Sequence, residues 1–419
     1  MTNVLTVWWG DEIVGSLSVD RHGDTAFAYA EEWLSKPSPR AISVSLPLRR
    51  EAFSRRESRP FFEGLLPEES QRVAIAGALG LSEENDFRLL EALGGEVAGA
   101  LSLWPESDKP PERCRGQTAT KPLDDDALID VLDRLPARPM LAGQQGLRLS
   151  LAGAQAKLPV AVVDDAVALP APGQPTTHIL KPPIARFQGT TENEAFSMRL
   201  AHEIGLSAAA VDYRTVRDRA FLLVKRYDRI ADETGQIKRL HQEDFCQALG
   251  FPSARKYAAD GGPVFTDCFA LVRSATTRPA RQVLKLFDAA IFNLIIGNAD
   301  AHGKNYSLLY KSTGVEMAPL YDLLSTVAYP DLSPRLAMKI ARRATLGELR
   351  PADWRRFAEE TGLTEPYVKR RARELAEAAN EAADRTVESF DLGYESAEVM
   401  KWFSTLVNKR ASQLSEICR

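Results

Sequence analysis

The sequence predicts an α+β protein of two lobes, the first rich in strands and the second helical, with a further small α+β subdomain ahead of them. Three observations carry this. Apolar runs bounded by turn residues, the signature of strands, dominate residues 147–229. Helical patterns dominate 240–419. A separate series of hairpin, helices and strand fills residues 4–103 and is closed off by a polar, proline-bearing stretch at 105–122. The boundaries expected are 1–105 for the N-terminal subdomain, 106–146 for a linker and short helix, 147–235 for the β-rich lobe and 236–419 for an all-helical lobe.

Bulk properties narrow the function classes. The 419 residues are 44% hydrophobic and 26% charged, an ordinary globular composition with length enough for several cores. A net charge of −4 argues against nonspecific nucleic-acid binding as the main task, because phosphate neutralisation needs a basic surface. The four cysteines, Cys114, Cys246, Cys268 and Cys418, include no close pair. That excludes a Cys-x-x-Cys metal or redox motif and suggests a reducing compartment. The start of the chain lacks a signal-peptide pattern and no 18-residue apolar run occurs, so a cytoplasmic protein without a membrane partner is expected.

In chain order, Val4–Trp9 and Ile13–Val19 flank Gly10-Asp11-Glu12 as a hairpin, and Thr25–Tyr29 reads as a third strand. Helices follow at Glu68–Gly77 and, after Ser82-Glu83-Glu84-Asn85, at Asp86–Leu93. Gly94–Leu103 returns as a strand, and its glycines do not fit Gly-x-Gly-x-x-Gly between strand and helix. A short helix spans Asp125–Leu135.

Residues 147–163 read as strand, small-residue tip, strand: a hairpin that either brings backbone N–H groups to a phosphate or is simply exposed. The tip is no Walker A loop, and neither is Gly297 to Asn305. His178–Lys181 is a strand that ends in a lysine able to neutralise phosphates, or merely solvated. On the helix Glu192–Ile204, stopped by Gly205, Glu192 lies near the Phe196, Leu200, Ile204 stripe and Glu194 opposite. If an acid orients Lys181, Glu192 is the better placed. Strands near Ala209–Val216 and Ala220–Val224 lead to Lys225-Arg226-Tyr227, a connector able to offer backbone groups to a base, and a helix is expected over Gln242–Leu249. Helices near 351–361, 365–385 and 397–417 look like packing. The basic clusters at Arg342-Arg343, Arg350–Arg356 and Lys369-Arg370-Arg371 read as solvated helix faces, with a partner contact as the minor alternative.

The most informative stretch is Ile296–Ser307, a polar loop between two apolar elements. Asp300 and Asn305 are five apart, the spacing at which a phosphotransferase loop sets a carboxylate to accept a hydroxyl proton and an amide oxygen to hold magnesium. Asp322, after Pro319-Leu320-Tyr321, offers a second metal oxygen, and two protein ligands plus ATP phosphates suffice for that ion. The other use of such residues is to shape turns. His302 and Lys304 join Asp300 and Asn305 as candidate catalytic residues, although His302 also fits a structural hydrogen-bonder. Zinc is not expected from five histidines without paired spacing.

Six segments in this order resemble the HipA-like serine/threonine kinases, toxins of bacterial toxin–antitoxin pairs, over nearly the whole chain. They are Phe61–Glu68 with Gly94–Leu101, Ser150–Lys157, His178–Pro182, Val224–Arg229 with His241–Phe245, Asn298–Asn305 and Leu320–Ser325. The resemblance implies a two-lobed protein-kinase-like fold using ATP and Mg2+. It makes Asp300 the catalytic base, Asn305 and Asp322 the magnesium ligands, and Lys181 a contact to ATP phosphates. Ser150, Leu151, Ala152, Gly153, Ala154, Gln155 and Lys157 become the phosphate loop. Lys225, Arg226 and Tyr227 become the hinge, and Gln242, His302 and Tyr321 nucleotide neighbours. Ser150 would be an inhibitory autophosphorylation site. The family's loop commonly carries glutamate where this chain has Ala156, which removes an acidic contact there. Implied partners are a small helix-turn-helix antitoxin, operator DNA reached through it, and an aminoacyl-tRNA synthetase whose phosphorylation halts translation. A kinase-shaped corepressor and a small-molecule or lipid kinase are the alternatives.

Overall fold

The computed structural model describes residues 3–110, 121–144, 147–171 and 173–419, so the middle of the expected proline-bearing linker, with Cys114, lies outside the described residues. Strands are β1 (Asn3–Trp9), β2 (Glu12–Val19), β3 (Thr25–Tyr29), β4 (Leu101–Pro105), β5 (Leu158–Val163), β6 (Ala166–Ala168), β7 (His178–Lys181), β8 (Val211–Val216), β9 (Arg219–Lys225), β10 (Arg229–Ala231), β11 (Ile237–Arg239), β12 (His241–Asp244), β13 (Ser307–Lys311) and β14 (Gly314–Met317). Helices are α1 (Glu31–Leu34), α2 (Arg55–Glu63), α3 (Glu69–Leu79), α4 (Asp86–Leu93), α5 (Asp125–Arg134), α6 (Thr190–Glu203), α7 (Phe245–Leu249), α8 (Phe265–Ala275), α9 (Pro279–Ile296), α10 (Asp353–Thr361), α11 (Glu365–Glu388) and α12 (Tyr394–Ile417). The chain is a mixed α+β protein, and it divides into two compact units. The first comprises Met1–Pro182, Arg214–Ser253 and Leu309–Lys311. The second comprises Pro183–Tyr213, Ala254–Leu308 and Ser312–Arg419.

In the first unit, β3-β2-β1-β4 form a sheet; alternation on β1 sends Leu5 and Val7 inward, and a register shift opposite Val14 lets Val14 and Leu17 of β2 both join a core shared with Phe27, Phe53, Phe61 and Leu66. Helix starts and stops follow local chemistry. Asn85 Oδ1 accepts the Arg88 N–H at 3.1 Å to cap α4, and Gly80 takes the left-handed conformation that ends α3. The expected strand over Gly94–Leu103 begins only at Leu101. The preceding backbone groups bond elsewhere: Glu96 N–H to Arg148 O at 2.8 Å and Gly99 N–H to Asp228 Oδ2 at 2.7 Å. A second sheet runs β6-β5-β7-β9-β8, with Leu158 opposite Leu180 and Lys181 opposite Leu222.

The hairpin expected at 147–163 does not form. Only β5 is a strand, and 147–157 is a loop that folds back onto the first subdomain through single bridges at Glu96–Leu149 and Pro67–Gly153. The apolar Leu147, Leu149 and Leu151 fit a buried loop as well as a strand, which is why the pattern misled. The helix expected from Gln242 starts at Phe245, because Asp244 is its N-cap: Asp244 Oδ1 accepts Gln247 N–H, and Gln247 Oε1 accepts Asp244 N–H, each at 2.8 Å.

The second unit is largely helical. Residues 289–296 of α9 are buried all round, and Gly297, at φ 74°, stops that helix. Helices α11 and α12 pack on each other and on α6 and α9. The C-terminal region, expected to be all-helical, also carries β11, β12 and the hairpin β13–β14. Arg342 and Arg343, read as part of a helix face, lie instead in a tight turn between β14 and α10.

Candidate active site

The loop after α9 is fixed from below. Asn293, on the last turn of the helix, accepts from Asn298 Nδ2 at 3.0 Å and donates to the Tyr306 hydroxyl at 3.1 Å. Asn298 Oδ1 then accepts the Asp300 N–H at 3.2 Å, and Thr326 Oγ1 accepts the Ala299 N–H at 2.7 Å. So held, Asp300 presents an exposed carboxylate. The Tyr257 hydroxyl donates to its Oδ1 at 2.9 Å, and the Tyr257 ring stands edge-on to His302 with centroids 5.0 Å apart.

Five residues on, Asn305 Oδ1 accepts the His302 N–H at 3.1 Å while Asn305 Nδ2 donates to Asp322 Oδ2, also at 3.1 Å. Asp322 sits at φ 58°, a left-handed conformation that aspartate tolerates better than most residues. Tyr321 braces the same loop, its hydroxyl donating to Lys304 O and sharing a hydrogen bond with Ser307 Oγ, each at 2.7 Å. Lys304 is buried. Asp300, His302, Lys304, Asn305, Tyr321 and Asp322 therefore belong to one connected constellation of the second unit. Tyr257 is its unforeseen member, and no local sequence signal marks it.

The remaining sequence-predicted residues lie in the first unit. Ser150 is fully buried: its N–H donates to Glu96 O at 2.9 Å and its hydroxyl to Leu65 O at 2.7 Å. Further along the loop, Lys157 Nζ donates to Ala152 O at 2.7 Å, and Gly153 adopts φ 111° where a Cβ would collide with that ammonium. Leu151 is buried, and Ala154 and Gln155 are half-buried. Lys181 is the buried last residue of β7. Lys225 is exposed opposite His178. Tyr227 donates its hydroxyl to Gln242 Oε1, and Gln242 Nε2 donates to Asp228 Oδ2 at 3.1 Å. In α6, which belongs to the second unit, Glu192 is engaged by three hydroxyls, Tyr213 and Thr191 at 2.8 Å and Ser396 at 3.1 Å.

Arg226 turns inward. Its backbone N–H bonds Thr177 O at 3.0 Å, and its guanidinium grips Asp228 at 3.0 and 2.9 Å. Arg229 reaches Glu96 at 2.9 Å, and all four side chains are buried. Burial alone would raise the Asp228 and Glu96 carboxyls. The adjacent arginines override it and hold both below the usual carboxylate range. This network is structural: Asp228 pairs with its chain neighbours Arg226 and Arg229, and Glu96 reaches both arginines from far earlier in the chain.

Among the described residues, no group of three or more His, Cys, Asp or Glu could hold a metal. Magnesium does not need one. Asp322 offers a carboxylate; Asn305 turns its Nδ2 to that carboxylate and its Oδ1 to His302 N–H, and the Oδ1, with one lone pair so taken, has a second to give. The donor chemistry fits the ion.

Residues 5–104 match the family model of the HipA N-terminal domain, and residues 149–383 that of the HipA-like C-terminal domain. A putative kinase, Y4mE, of Sinorhizobium fredii is 58% identical over 94% of this chain and 95% of its own. The serine/threonine-protein kinase toxin HipA of Shewanella oneidensis is 33% identical over 81% of this chain and 79% of its own. A structure of Shewanella oneidensis MR-1 HipA, solved with HipB and its operator DNA, superposes with a TM-score of 0.86 at 28% identity over 99% of both chains. With both models matched in order and the relatives aligned nearly end to end, the chain belongs to the HipA-like kinase family.

Proposed function

We propose that this protein is an ATP- and magnesium-dependent serine/threonine kinase acting on another protein, the toxin half of a toxin–antitoxin pair. The observation that carries the reading is the pairing of Asn305 with Asp322 at 3.1 Å, with the exposed carboxylate of Asp300 five residues before Asn305 on the same loop. Asp300 accepts the proton of the substrate hydroxyl as its oxygen forms the bond to the γ-phosphorus, and the bond to the β–γ bridging oxygen breaks to leave ADP. Asn298 and Thr326 keep the base in place through its loop backbone. Asp322 and Asn305 hold the magnesium ion, which when bound neutralises phosphate charge. Lys181 contacts the ATP phosphates, the 150–157 loop covers them, and Lys225 to Tyr227 with Gln242 border the adenine.

Ser150 is the proposed autophosphorylation site. Its hydroxyl is buried on Leu65 O, so a phosphate of roughly −1.5 to −2 charges cannot be accommodated there and the loop must leave. The likeness to a HipA solved with HipB and operator DNA supports a small helix-turn-helix antitoxin as partner, with DNA reached through it. The net charge of −4 accords with DNA contact residing mainly in that partner. An aminoacyl-tRNA synthetase is the proposed substrate, with arrest of translation as the outcome.

The test is labelling by γ-32P-ATP. Wild-type protein should label a protein substrate and the Ser150 peptide. Asp300→Ala should lower the rate by about 10²–10⁴ and relieve growth arrest on expression. Full toxicity of Asp300→Ala would favour a corepressor, and robust labelling of a small alcohol with none of protein would favour a small-molecule kinase.

A further inference from the structure

A cleft of about 1150 Å³ opens beside Asp300, lined wholly by residues of the second unit. Asn305 and Asp322 do not line it, so an occupant reaches the base without overlapping the metal pair. The volume exceeds the roughly 300–1,000 Å³ of small-molecule pockets. Its apolar lining includes Phe265, Leu332 and Leu336. Its charged lining comprises the carboxylates of Asp260, Asp300, Glu359 and Glu360 and the cations Arg335, Lys339, Arg342 and Arg356, the cations all exposed.

These cations differ from their neighbours. Arg343 is held by Asp353 at 2.9 and 3.0 Å, and Arg355 pairs with Glu359 at 3.7 Å. Arg335, Lys339, Arg342 and Arg356 form no ion pair among the described residues, and Arg342 and Arg356 share only the influence of Glu360. The backbone works to place one of them. Ala341 and Arg342 both have positive φ, 50° and 68°, in a two-residue turn closed by reciprocal bonds between Ile340 and Arg343 at 3.2 and 2.8 Å. That geometry suits Asn-Gly, not Ala-Arg. It persists because the surroundings over-determine it: the Arg343–Asp353 pair, Ala341 N–H on Glu360 at 3.2 Å, and Ala344 N–H on Glu348 at 2.9 Å. The result is Arg342 held at the cleft. A hydroxyl, that of Tyr257, is already seated on Asp300 from the same cleft.

We propose that this cleft binds the substrate protein as an extended segment and selects acidic residues flanking the acceptor serine or threonine. The inference rests on the kinase reading and adds its specificity. A nucleic-acid strand is a poorer occupant, because Asp260, Glu359 and Glu360 also line the cleft and a continuous phosphodiester backbone would have to pass them. A peptide can set isolated carboxylates against the cations and an apolar side chain against Leu336.

The experiment uses the full chain, γ-32P-ATP and serine peptides of equal length flanked by Glu, Ala or Lys. The Glu peptide should show a kcat/KM about ten-fold above the Lys peptide, mostly in KM, and the gap should shrink with salt. In the double variant Arg342→Glu/Arg356→Glu the order should reverse. Each ratio is read within one preparation, so partial unfolding cannot mimic a reversal. Wild-type preference for Lys peptides, equal use of all three, or an unchanged preference in the double variant would overturn the cleft inference while leaving a working kinase. A mixed-sequence oligonucleotide that displaces peptide from wild type but not from the double variant would reassign the cleft to nucleic acid. Labelling of a small alcohol with no peptide or protein labelled would remove the kinase reading and the cleft with it.

Discussion

Asn305 Nδ2 donates to Asp322 Oδ2 at 3.1 Å across seventeen residues of chain, joining the start of the β13–β14 hairpin to the loop that follows it. The two side chains thus share one spot although neither is local to the other. Asp322 also carries a left-handed backbone, so charge and conformation can be separated by substitution.

Asp322→Asn keeps a residue that tolerates positive φ and removes the carboxylate. Phosphoryl transfer should fall by about 10²–10³ with the melting temperature nearly unchanged. Asp322→Val should lose activity and also stability, by about 1–2 kcal/mol for a non-glycine residue held left-handed without local hydrogen bonding. Equal melting temperatures for the two variants would count against the backbone assignment.

Tyr257→Phe removes the hydroxyl that sits on Asp300. One hydrogen bond of about 1 kcal/mol converts to a KM for protein substrate lower by about five-fold, with kcat unchanged. Steady-state kinetics that show a fall in kcat instead would make the phenol part of the chemistry.

Asp228→Ala leaves Arg226 and Arg229 buried beside only Glu96. Removing one partner of a buried ion network costs about 3–5 kcal/mol, measurable as a shift of the urea midpoint. In the wild type this contribution is present above the ordinary aspartate pKa of 3.8 and is lost as pH falls toward the depressed folded-state value.

Glu243 and His241 make opposing pH contributions. Burial pushes the Glu243 carboxyl up to about 7, where it accepts from Ser43 and Tyr310 at 2.5 Å. Its contribution is present below 4.5 and lost as pH rises through about 7. Burial pulls the His241 imidazole down to about 4, so its contribution is present above 6.5 and lost as pH falls through about 4. The two offset each other between 4.5 and 6.5. Glu243→Gln should therefore unmask a stability that rises with pH over that window, and at pH 8 it should recover up to about 3 kcal/mol. Melting curves across pH 4–9 read both effects, and a variant with the wild-type profile would refute the assignment.

The loop that carries Asp300 and Asn305 was legible because its pattern is local: the two sit five apart between an apolar helix and an apolar strand. The first hairpin, α4 and the C-terminal helices were legible for the same reason, from periodicity and capping residues. Long-range geometry was not. Leu147, Leu149 and Leu151 alternate as a strand would, but they serve a loop docked on a distant subdomain. Arg342-Arg343 reads as a charged helix face until the turn splits the two, one onto Asp353 and one toward the cleft. Tyr257 meets Asp300 across 43 residues, and nothing near either residue announces it.

The buried quartet of Glu96, Arg226, Asp228 and Arg229 has a bearing on modularity. Two segments that family models delimit separately, 5–104 and 149–383, hold each other's charges in a dry interior. A chain trimmed to begin after residue 105 would inherit two guanidinium groups stripped of a counter-ion, along with an unsupported 147–157 loop. The leading segment is thus no detachable appendage, since its Glu96 serves charges carried at Arg226 and Arg229.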